Sequence, residues 1–408
     1  MISSMQIRRG TSIATKKNNI KKRVLGNPSP EDTLRTWIEI DTKAITHNFK
    51  LFRKFLGRKT KILAVVKSNA YGHNITEFSK ELVSLGVDWL GVDSLMEAFA
   101  IREEKIRTPI LVLGHTLPSM FEEARKDDIA ITISGFDALS LVYCSTKSRK
   151  PLRAHIKVDT GMHRQGFQLH DLPKLITFLL EHKNNKAVMI EGLYTHFAEA
   201  KNPRSGDSTR RQIDELHVWV DAFTRAGFSP TVHASATAGT LLYPQAHFDM
   251  VRIGIGMYGL WPSSDVERFF EHRKEKLKPA LSWKAVVSEV KDVRKGERVG
   301  YDFTELLSRD TTLAIIPVGY WYGLPRALSS KGRVLIHGKT ARILGRVTMG
   351  MIMVDVTDIP KTKPGDIAVL IGKDGKEEIR AGELATFSGT THYEIVTRLN
   401  PLMKRFYR

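Results

Sequence analysis

Short apolar runs alternate with amphipathic stretches from Trp37 to about residue 260. Most of these runs are apolar at consecutive positions, which is typical of strands that are buried on both faces. There are eight of them: Ile62–Val66, Trp89–Val92, Ile110–Leu113, Ile129–Ile133, Ala154–Val158, Met189–Leu193, Thr231–Ala234 and Val251–Ile255. The stretches between them have helical periodicity, as in Ser94–Glu104, Phe136–Cys144, Leu172–Leu180 and Arg210–Ala226. The pattern predicts an α/β fold with a parallel (β/α)8 barrel over residues 36–275.

The pattern changes after about residue 275, where alternating, β-rich stretches follow and strong helical patterns are few. The predicted strands are Leu281–Val290, Thr311–Pro317, Arg333–His337, Ile343–Val347, Met351–Val354 and Ile367–Ile371. Turns with Gly, Lys and Asp separate them. We therefore predict a second, mainly antiparallel β-domain over residues 276–408.

The distribution of charge distinguishes the N-terminal residues from the two predicted domains. The formal net charge is +19, and seven of the positive charges fall within the first 30 residues, with no acid among them. Residues 1–35 are polar and basic and lack a long apolar run, so we predict a disordered extension rather than a secretory signal. Beyond it, basic residues are interleaved with acids, which argues against nucleic-acid binding as the main function. Weak contact of the extension with RNA or an acidic surface is left open.

Two further features bear on location. No apolar run approaches the roughly 18 residues that a membrane-spanning helix needs. The chain has one cysteine, Cys144, so it cannot form an intrachain disulfide, which fits a reducing compartment.

The strongest candidate for chemistry is Lys67, which directly follows the apolar strand that ends at Val66. In a parallel barrel the C-terminal ends of the strands face the active site. A partly desolvated lysine at this position has a lowered pKa, and its neutral amine can form a Schiff base with an aldehyde cofactor. Taken alone, such a lysine is more often a solvated charge.

The residues around Lys67 favour the Schiff-base lysine over a solvated charge. Lys67, followed by Asn69, Tyr71, Gly72 and His73, resembles the signature of the alanine racemase family, whose lysine binds pyridoxal 5'-phosphate (PLP). The resemblance continues through most of the chain, in the segments Val92–Ala98, Lys157–Arg164, Tyr194–Ala198, Arg252–Gly259, Gly296–Asp302 and Pro317–Tyr320. It implies a barrel followed by a β-domain and a cytoplasmic homodimer with shared active sites. The implied function is to supply D-alanine for peptidoglycan.

The resemblance also implies the roles of individual residues. Lys67 and Tyr301 of the partner subunit are the two catalytic bases. Arg252 donates to the pyridine nitrogen of PLP, and His196 supports Tyr301. The implied phosphate ligands are Tyr71, Thr237, Gly254 and Ile255. The implied substrate ligands are Arg164, Met349 and Tyr320. Lys157 matches a lysine that is often carbamylated, and we expect no metal.

Racemisation gives a physical reason for two bases. Inverting a carbon centre requires proton removal on one face and delivery on the other, and one group cannot reach both faces of a fixed planar intermediate. A free tyrosine has a pKa near ~10, so it needs nearby positive charge to act as a base at neutral pH. We expect Arg164 and the His196–Arg252 pair to provide this charge.

Several positions depart from the family pattern: Ala236, Trp321, Tyr322, Gly350 and Pro401. They affect the expected cofactor affinity and the entrance to the site. The main alternative is a racemase of broader substrate range on the same scaffold. A PLP-dependent decarboxylase is a further alternative, although it has no need for the Tyr301 segment. A non-catalytic PLP carrier would lack residues 276–408, and an RNA-binding protein would depend on residues 1–35.

Overall fold

The protein is described from a computed structural model, which covers residues 33–144, 150–203, 206–273 and 276–408. Almost all of the predicted N-terminal extension lies outside these residues. The first strand, β1, is Thr36–Ile40.

Eight parallel strands form a closed barrel, as the sequence predicted. Each strand pairs with the next, and the last pairs with the first, so that Leu63 lies between Trp89 and Arg252. The strands are β2 Lys61–Val65, β3 Trp89–Val92, β4 Ile110–Val112, β5 Ile129–Ile133, β6 Leu152–Lys157, β7 Val188–Tyr194, β8 Thr231–Ala236 and β9 Met250–Ile253.

Helices cover the outside of the barrel and bury their apolar sides against it. In the long helix between β7 and β8, for example, Trp219 and Phe223 are fully buried. The helical elements of residues 42–242 are α1 Thr42–Leu56, α2 Lys67–Tyr71, α3 Ile75–Ser84, α4 Leu95–Glu103, α5 Phe121–Lys126, α6 Phe136–Cys144, α7 Leu172–Glu181, α8 Asp207–Arg225 and α9 Thr237–Leu242. Of these, α2 and the start of α9 line the cavity at the end of the barrel instead of its outside. A short helix, α10 Ser264–Phe269, follows the barrel. No helix in the described part of the chain is both long and apolar enough to cross a membrane.

The remaining residues form a mainly antiparallel sheet, which confirms the predicted fold class. Its strands after the barrel are β10 Leu281–Val286, β11 Glu289–Val293, β14 Thr311–Ile316, β15 Arg333–Ile336, β16 Lys339–Leu344, β17 Ile352–Asp355, β18 Ile367–Asp374, β19 Glu377–Ile379 and β20 Arg405–Tyr407. A separate pair consists of β12 Arg298–Val299 and β13 Glu305–Leu306. Two helices, α11 Ala381–Ser388 and α12 His392–Thr397, precede β20.

Two details of this sheet differ from the sequence-based expectation. The predicted strand Leu281–Val290 is two strands, because β10 pairs with β18 whereas β11 pairs with β14. Strand β1 precedes the barrel in sequence, yet it lies between β10 and β20 in the second sheet. The first and last strands of the described chain are therefore hydrogen-bonded neighbours.

Apolar side chains fill part of the barrel interior and determine where a site can form. Leu63, Trp89, Leu111, Ala130 and Met250 pack together inside it and are almost completely buried. Above this layer, the C-terminal ends of the strands surround a cavity of about 570 Å³.

Candidate active site

Lys67 lies at the end of β2 and lines this cavity, as the sequence predicted. Its Nζ is 2.8 Å from Oδ1 of Asp93, which follows β3, the neighbouring strand. The side chain of Lys67 is 38% exposed in the single chain. The expected desolvation is therefore not present in the single chain, where the amine is partly exposed and contacts a carboxylate.

The backbone after Lys67 has an unusual conformation. The four residues Ser68–Tyr71 have φ angles between 48° and 57° and form a left-handed turn. For residues other than glycine this costs about 1–2 kcal/mol each, so surrounding contacts must stabilise the turn. Oε1 of Glu97 accepts a hydrogen bond from the amide of Ser68 at 2.6 Å. The turn places the side chains of Lys67 and Tyr71 in the same cavity.

The C-terminal segment holds the residues that follow this turn. Arg405 donates from Nε to the carbonyl oxygen of Gly72 at 3.1 Å, and the Tyr407 hydroxyl donates to the carbonyl oxygen of His73 at 2.7 Å. A Cβ atom on Gly72 would lie 2.0 Å from the carbonyl oxygen of Val396. This contact, together with a φ of 82°, means that only glycine fits here. The second sheet thus determines the position of a barrel loop in the site.

One part of the cavity is lined by groups that can donate hydrogen bonds to an anion. The hydroxyl groups of Tyr71 and Thr237 lie there with the backbone of Gly254 and Ile255. Residues Ile255–Tyr258 form a short 3-10 helix, whose first amides have no acceptor within the helix. A Cβ atom on Gly254 would lie 2.9 Å from the Tyr71 hydroxyl oxygen. Burial raises the pKa of Tyr71 to about 12, so its hydroxyl remains a neutral donor.

Arg252, on β9, is buried and held by its neighbours. Its Nη2 donates to the carbonyl oxygens of Thr195 and Ala234, each at 2.7 Å. Its Nη1 is 2.8 Å from Nδ1 of His233, and Nη2 is 3.2 Å from Nδ1 of His196. Burial lowers the pKa of Arg252 to about 10, which leaves the guanidinium protonated at neutral pH.

These contacts fix the hydrogens on the two histidine rings. Burial lowers the pKa of both His196 and His233 well below 6.5, so both rings are neutral. Because Arg252 can only donate, each Nδ1 accepts and each ring carries its hydrogen on Nε2. The Nε2 of His233 donates to Nδ1 of His155 at 2.9 Å. His196 lines the cavity and keeps Nε2–H as a donor.

Two further cations lie near Arg252. Lys157 donates from Nζ to Oε1 of Gln165 at 2.9 Å, and this Nζ lies 5.6 Å from the ring centre of Tyr194. Burial, followed by the charges of Arg164 and Arg252, lowers the pKa of Lys157 to about 8. Arg164 lines the same cavity and forms no ion pair with any residue that the structure describes. The site therefore has an excess of positive charge suited to anionic ligands.

Three predicted site residues do not line the cavity of their own chain. Tyr301, Met349 and Tyr320 are 69%, 61% and 45% exposed on the second domain. The segments of Tyr320 and Met349 lie side by side, since the amide of Tyr320 donates to the carbonyl oxygen of Thr348 at 3.0 Å. The Tyr301 segment joins the same region through an ion pair of 2.9 Å between Asp302 and Arg346. We call Tyr301, Tyr320 and Met349 the exposed aromatic–methionine cluster.

Several residues with clear roles in this geometry were not singled out from the sequence. Asp93 and Glu97 support Lys67 and its turn, Gln165 contacts Lys157, and His233 holds Arg252. Asp93 and Glu97 belong to the segment Val92–Ala98, and their position after a strand is the one signal that could have identified them. Among the departures, Pro401 is exposed and its carbonyl accepts from Arg405.

Comparisons with known proteins agree with this geometry. The sequence profile of the alanine racemase N-terminal domain matches residues 40–262, and that of the alanine racemase C-terminal domain matches residues 280–407. An alanine racemase of Leptospira interrogans is 36% identical over 93% of this chain and 97% of its own length. One from Carboxydothermus hydrogenoformans is 39% identical over 91% of this chain and 99% of its own length.

Solved structures show the same relationship. The alanine racemase of Bacillus anthracis with bound L-Ala-P has a TM-score of 0.85 and 34% identity, and the match covers 92% of this chain and 95% of that one. The alanine racemase of Bartonella henselae with covalently bound pyridoxal phosphate has a TM-score of 0.81 and 27% identity, over 92% of this chain and all of that one.

Proposed function

The chain belongs to the alanine racemase family and is an isomerase that interconverts L- and D-alanine, and we propose that it does so with PLP and two bases on opposite sides of the substrate. The bases are Lys67 of one subunit and Tyr301 of the partner subunit. The observation that carries this proposal is a single cavity lined by both Lys67 and the anion donors Tyr71, Thr237, Gly254 and Ile255.

The residues of the cavity fit PLP. Gly254 leaves room beside the Tyr71 hydroxyl that a larger side chain would fill, which suits a phosphate group. Lys67 provides the primary amine that an aldehyde requires. Arg252 would hold the pyridine nitrogen, and as a guanidinium it donates a hydrogen bond without giving up its proton. When bound, PLP supplies the electron sink that makes the Cα proton of alanine removable.

Lys67 moves the proton on one face of the substrate. Its Nζ lies 2.8 Å from Oδ1 of Asp93, so Asp93 orients the amine and stabilises its charge after it has taken up a proton. Following the family assignment, Lys67 handles the proton of D-alanine and Tyr301 that of L-alanine.

Tyr301 is largely exposed and does not line the cavity of its own chain, which supports the proposal that it acts in the site of a second subunit. We therefore propose a homodimer in which the exposed aromatic–methionine cluster of each subunit closes the cavity of the other. The free Nε2–H of neutral His196 would donate a hydrogen bond to the Tyr301 oxygen, with Arg252 behind it as the source of positive charge. Burial of the cluster would also remove its apolar surface from water.

The substrate carboxylate needs a cation, and Arg164 is available for it. We assign binding of the substrate carboxylate to Arg164. The backbone of Met349 and the side chain of Tyr320, both from the partner subunit, complete the pocket. Lys157 orients Arg164 when it carries a carbamate. Its lowered pKa supports this, since carbon dioxide adds to a neutral amine.

We also propose that the enzyme acts in the cytoplasm to supply D-alanine for peptidoglycan. The presence of a single cysteine, Cys144, supports a reducing compartment.

The proposal is tested by borohydride reduction of the purified holoenzyme, followed by peptide mass spectrometry. We expect a phosphopyridoxyl group on Lys67, and modification of another lysine instead would contradict the assignment. Racemisation in deuterated water then tests the second base. Tyr301→Phe should slow removal of the L-alanine proton more than that of D-alanine. The control Tyr322→Phe removes a hydroxyl that accepts a hydrogen bond from Arg35 and has no assigned role in the site, so it should leave their ratio unchanged.

A further inference from the structure

We propose that Lys201 is a phosphate-binding residue, which supplies the full positive charge that the other phosphate ligands lack. This inference rests on the proposed function, because the anion is the phosphate of PLP. Lys201 lies in the loop between β7 and α8 and lines the same cavity as Tyr71 and Thr237.

The ring of Tyr393 connects Lys201 to the anion donor Tyr71. Its Nζ lies 4.8 Å from the ring centre of Tyr393, a cation–π contact. Tyr71 also neighbours that ring, and its ring centre is 6.2 Å away. The three side chains thus lie in a row, in the order Lys201, Tyr393 and Tyr71. The hydroxyl group of Tyr71 lies beside Gly254. The loop is anchored by Ser263, whose hydroxyl donates to the carbonyl oxygen of Lys201 at 3.2 Å.

Apart from the contact with the Tyr393 ring, the charge of Lys201 has no carboxylate partner in the part of the chain that the structure describes. Lys67 pairs with Asp93, and Arg252 is bonded to carbonyl groups and histidines, but Lys201 forms no ion pair among the described residues. Burial alone lowers the pKa of Lys201, whereas neighbouring cations contribute to the lowering for Lys157. Lys201 therefore stands apart from the cluster of cations near the proposed substrate carboxylate.

The chemistry of the ligand explains why a cation is needed. A phosphate monoester carries a charge between about −1.5 and −2 at pH 7. The four other proposed ligands are two hydroxyl groups and two backbone amides, all of them neutral. Lys201 would reach the phosphate by rotation of its flexible four-carbon side chain away from the Tyr393 ring.

The test compares ligands with and without phosphate. Apoenzyme of the full chain is titrated with PLP, with pyridoxal and with inorganic phosphate, with tryptophan fluorescence or ultrafiltration to measure Kd. We expect Lys201→Gln to raise the Kd of PLP and of inorganic phosphate roughly tenfold and to change that of pyridoxal less than about twofold. Lys201→Arg should restore most of the phosphate affinity. The matched control is Lys186→Gln, which removes an exposed charge before β7, at the opposite end of the barrel.

The outcomes separate the two proposals. If Lys201→Gln binds PLP like Lys186→Gln, or loses pyridoxal and PLP affinity equally, Lys201 does not bind phosphate and the racemase assignment stands. If the wild-type chain binds no PLP at all, the proposed function is wrong, and this inference, which rests on it, is wrong as well. Circular dichroism of each variant establishes that a change in Kd reflects the bound anion rather than unfolding.

Discussion

Lys157 leads to a quantitative prediction about carbon dioxide. Its pKa is about 8 instead of 10.5, because burial and the nearby Arg164, Arg252 and Lys67 disfavour the ammonium form. At pH 8 about half of the Lys157 side chains are then neutral, compared with about 0.3% for a lysine of ordinary pKa. Since the neutral amine adds carbon dioxide, Lys157 should form a carbamate at this pH.

The same pKa shift fixes the sign and size of the effect on stability. Between pH 8 and 10.5 the unfolded chain binds more protons than the folded chain, so the free energy of unfolding rises with pH across that window. Below pH 8, protonated Lys157 lowers the free energy of unfolding by about 2–3 kcal/mol, after allowance for its partial exposure. A carbamate removes this cost and turns the repulsion of Arg164 and Arg252 into attraction.

We therefore expect bicarbonate at pH 8 to raise the Tm of the wild-type protein by about 2–4 °C relative to sodium chloride of equal ionic strength. Scanning calorimetry measures the shift, and carbon-13 NMR with labelled bicarbonate detects the carbamate. Lys157→Met should abolish both responses, and Lys186→Met, an exposed control, should retain them. The reasoning is refuted if wild type shows no carbamate signal, or if Lys157→Met responds to bicarbonate in the same way.

Two substitutions test other parts of the site. Gly254→Ala places a methyl group 2.9 Å from the Tyr71 hydroxyl oxygen, so the Kd of PLP should rise about tenfold and stability should fall by about 1–3 kcal/mol. An unchanged Kd would exclude the proposed phosphate position. Arg252→Glu allows the pyridine nitrogen to take up a proton and strengthens the electron sink, so pyruvate formation by transamination should increase relative to racemisation. Measuring both products in one reaction makes their ratio independent of the fraction of folded enzyme, and an unchanged ratio would contradict the role of Arg252.

The sequence predicted the barrel more completely than the second sheet. All eight barrel strands lie where the apolar runs indicated, because strands buried on both faces are apolar at consecutive positions. Residues 281–290 have no turn signal between the two strands, so the division of Leu281–Val290 into β10 and β11 could not be predicted from its pattern. Likewise, the pattern of Thr36–Ile40 does not reveal that it joins the second sheet. The division into residues 36–275 and 276–408 stays a prediction.

Some residues of the site could be predicted from the sequence and others could not, for a related reason. Motifs at strand ends identified Lys67 and Arg252, and both line the cavity. The ion pair between Lys67 and Asp93 depends on the adjacency of β2 and β3, which a local pattern does not contain. The contribution of Lys201 depends on where a loop after β7 meets α12, and that contact joins residues 192 positions apart in sequence.

Complementation between two inactive variants tests the central claim most directly. Lys67→Ala and Tyr301→Phe homodimers should each be nearly inactive, because each lacks one base in both sites. After unfolding and mixed refolding, half of the dimers are hybrids with one intact site, so about a quarter of wild-type activity should return. If native mass spectrometry shows hybrid dimers and no racemisation returns, the two bases do not meet across the subunit interface and the account is wrong.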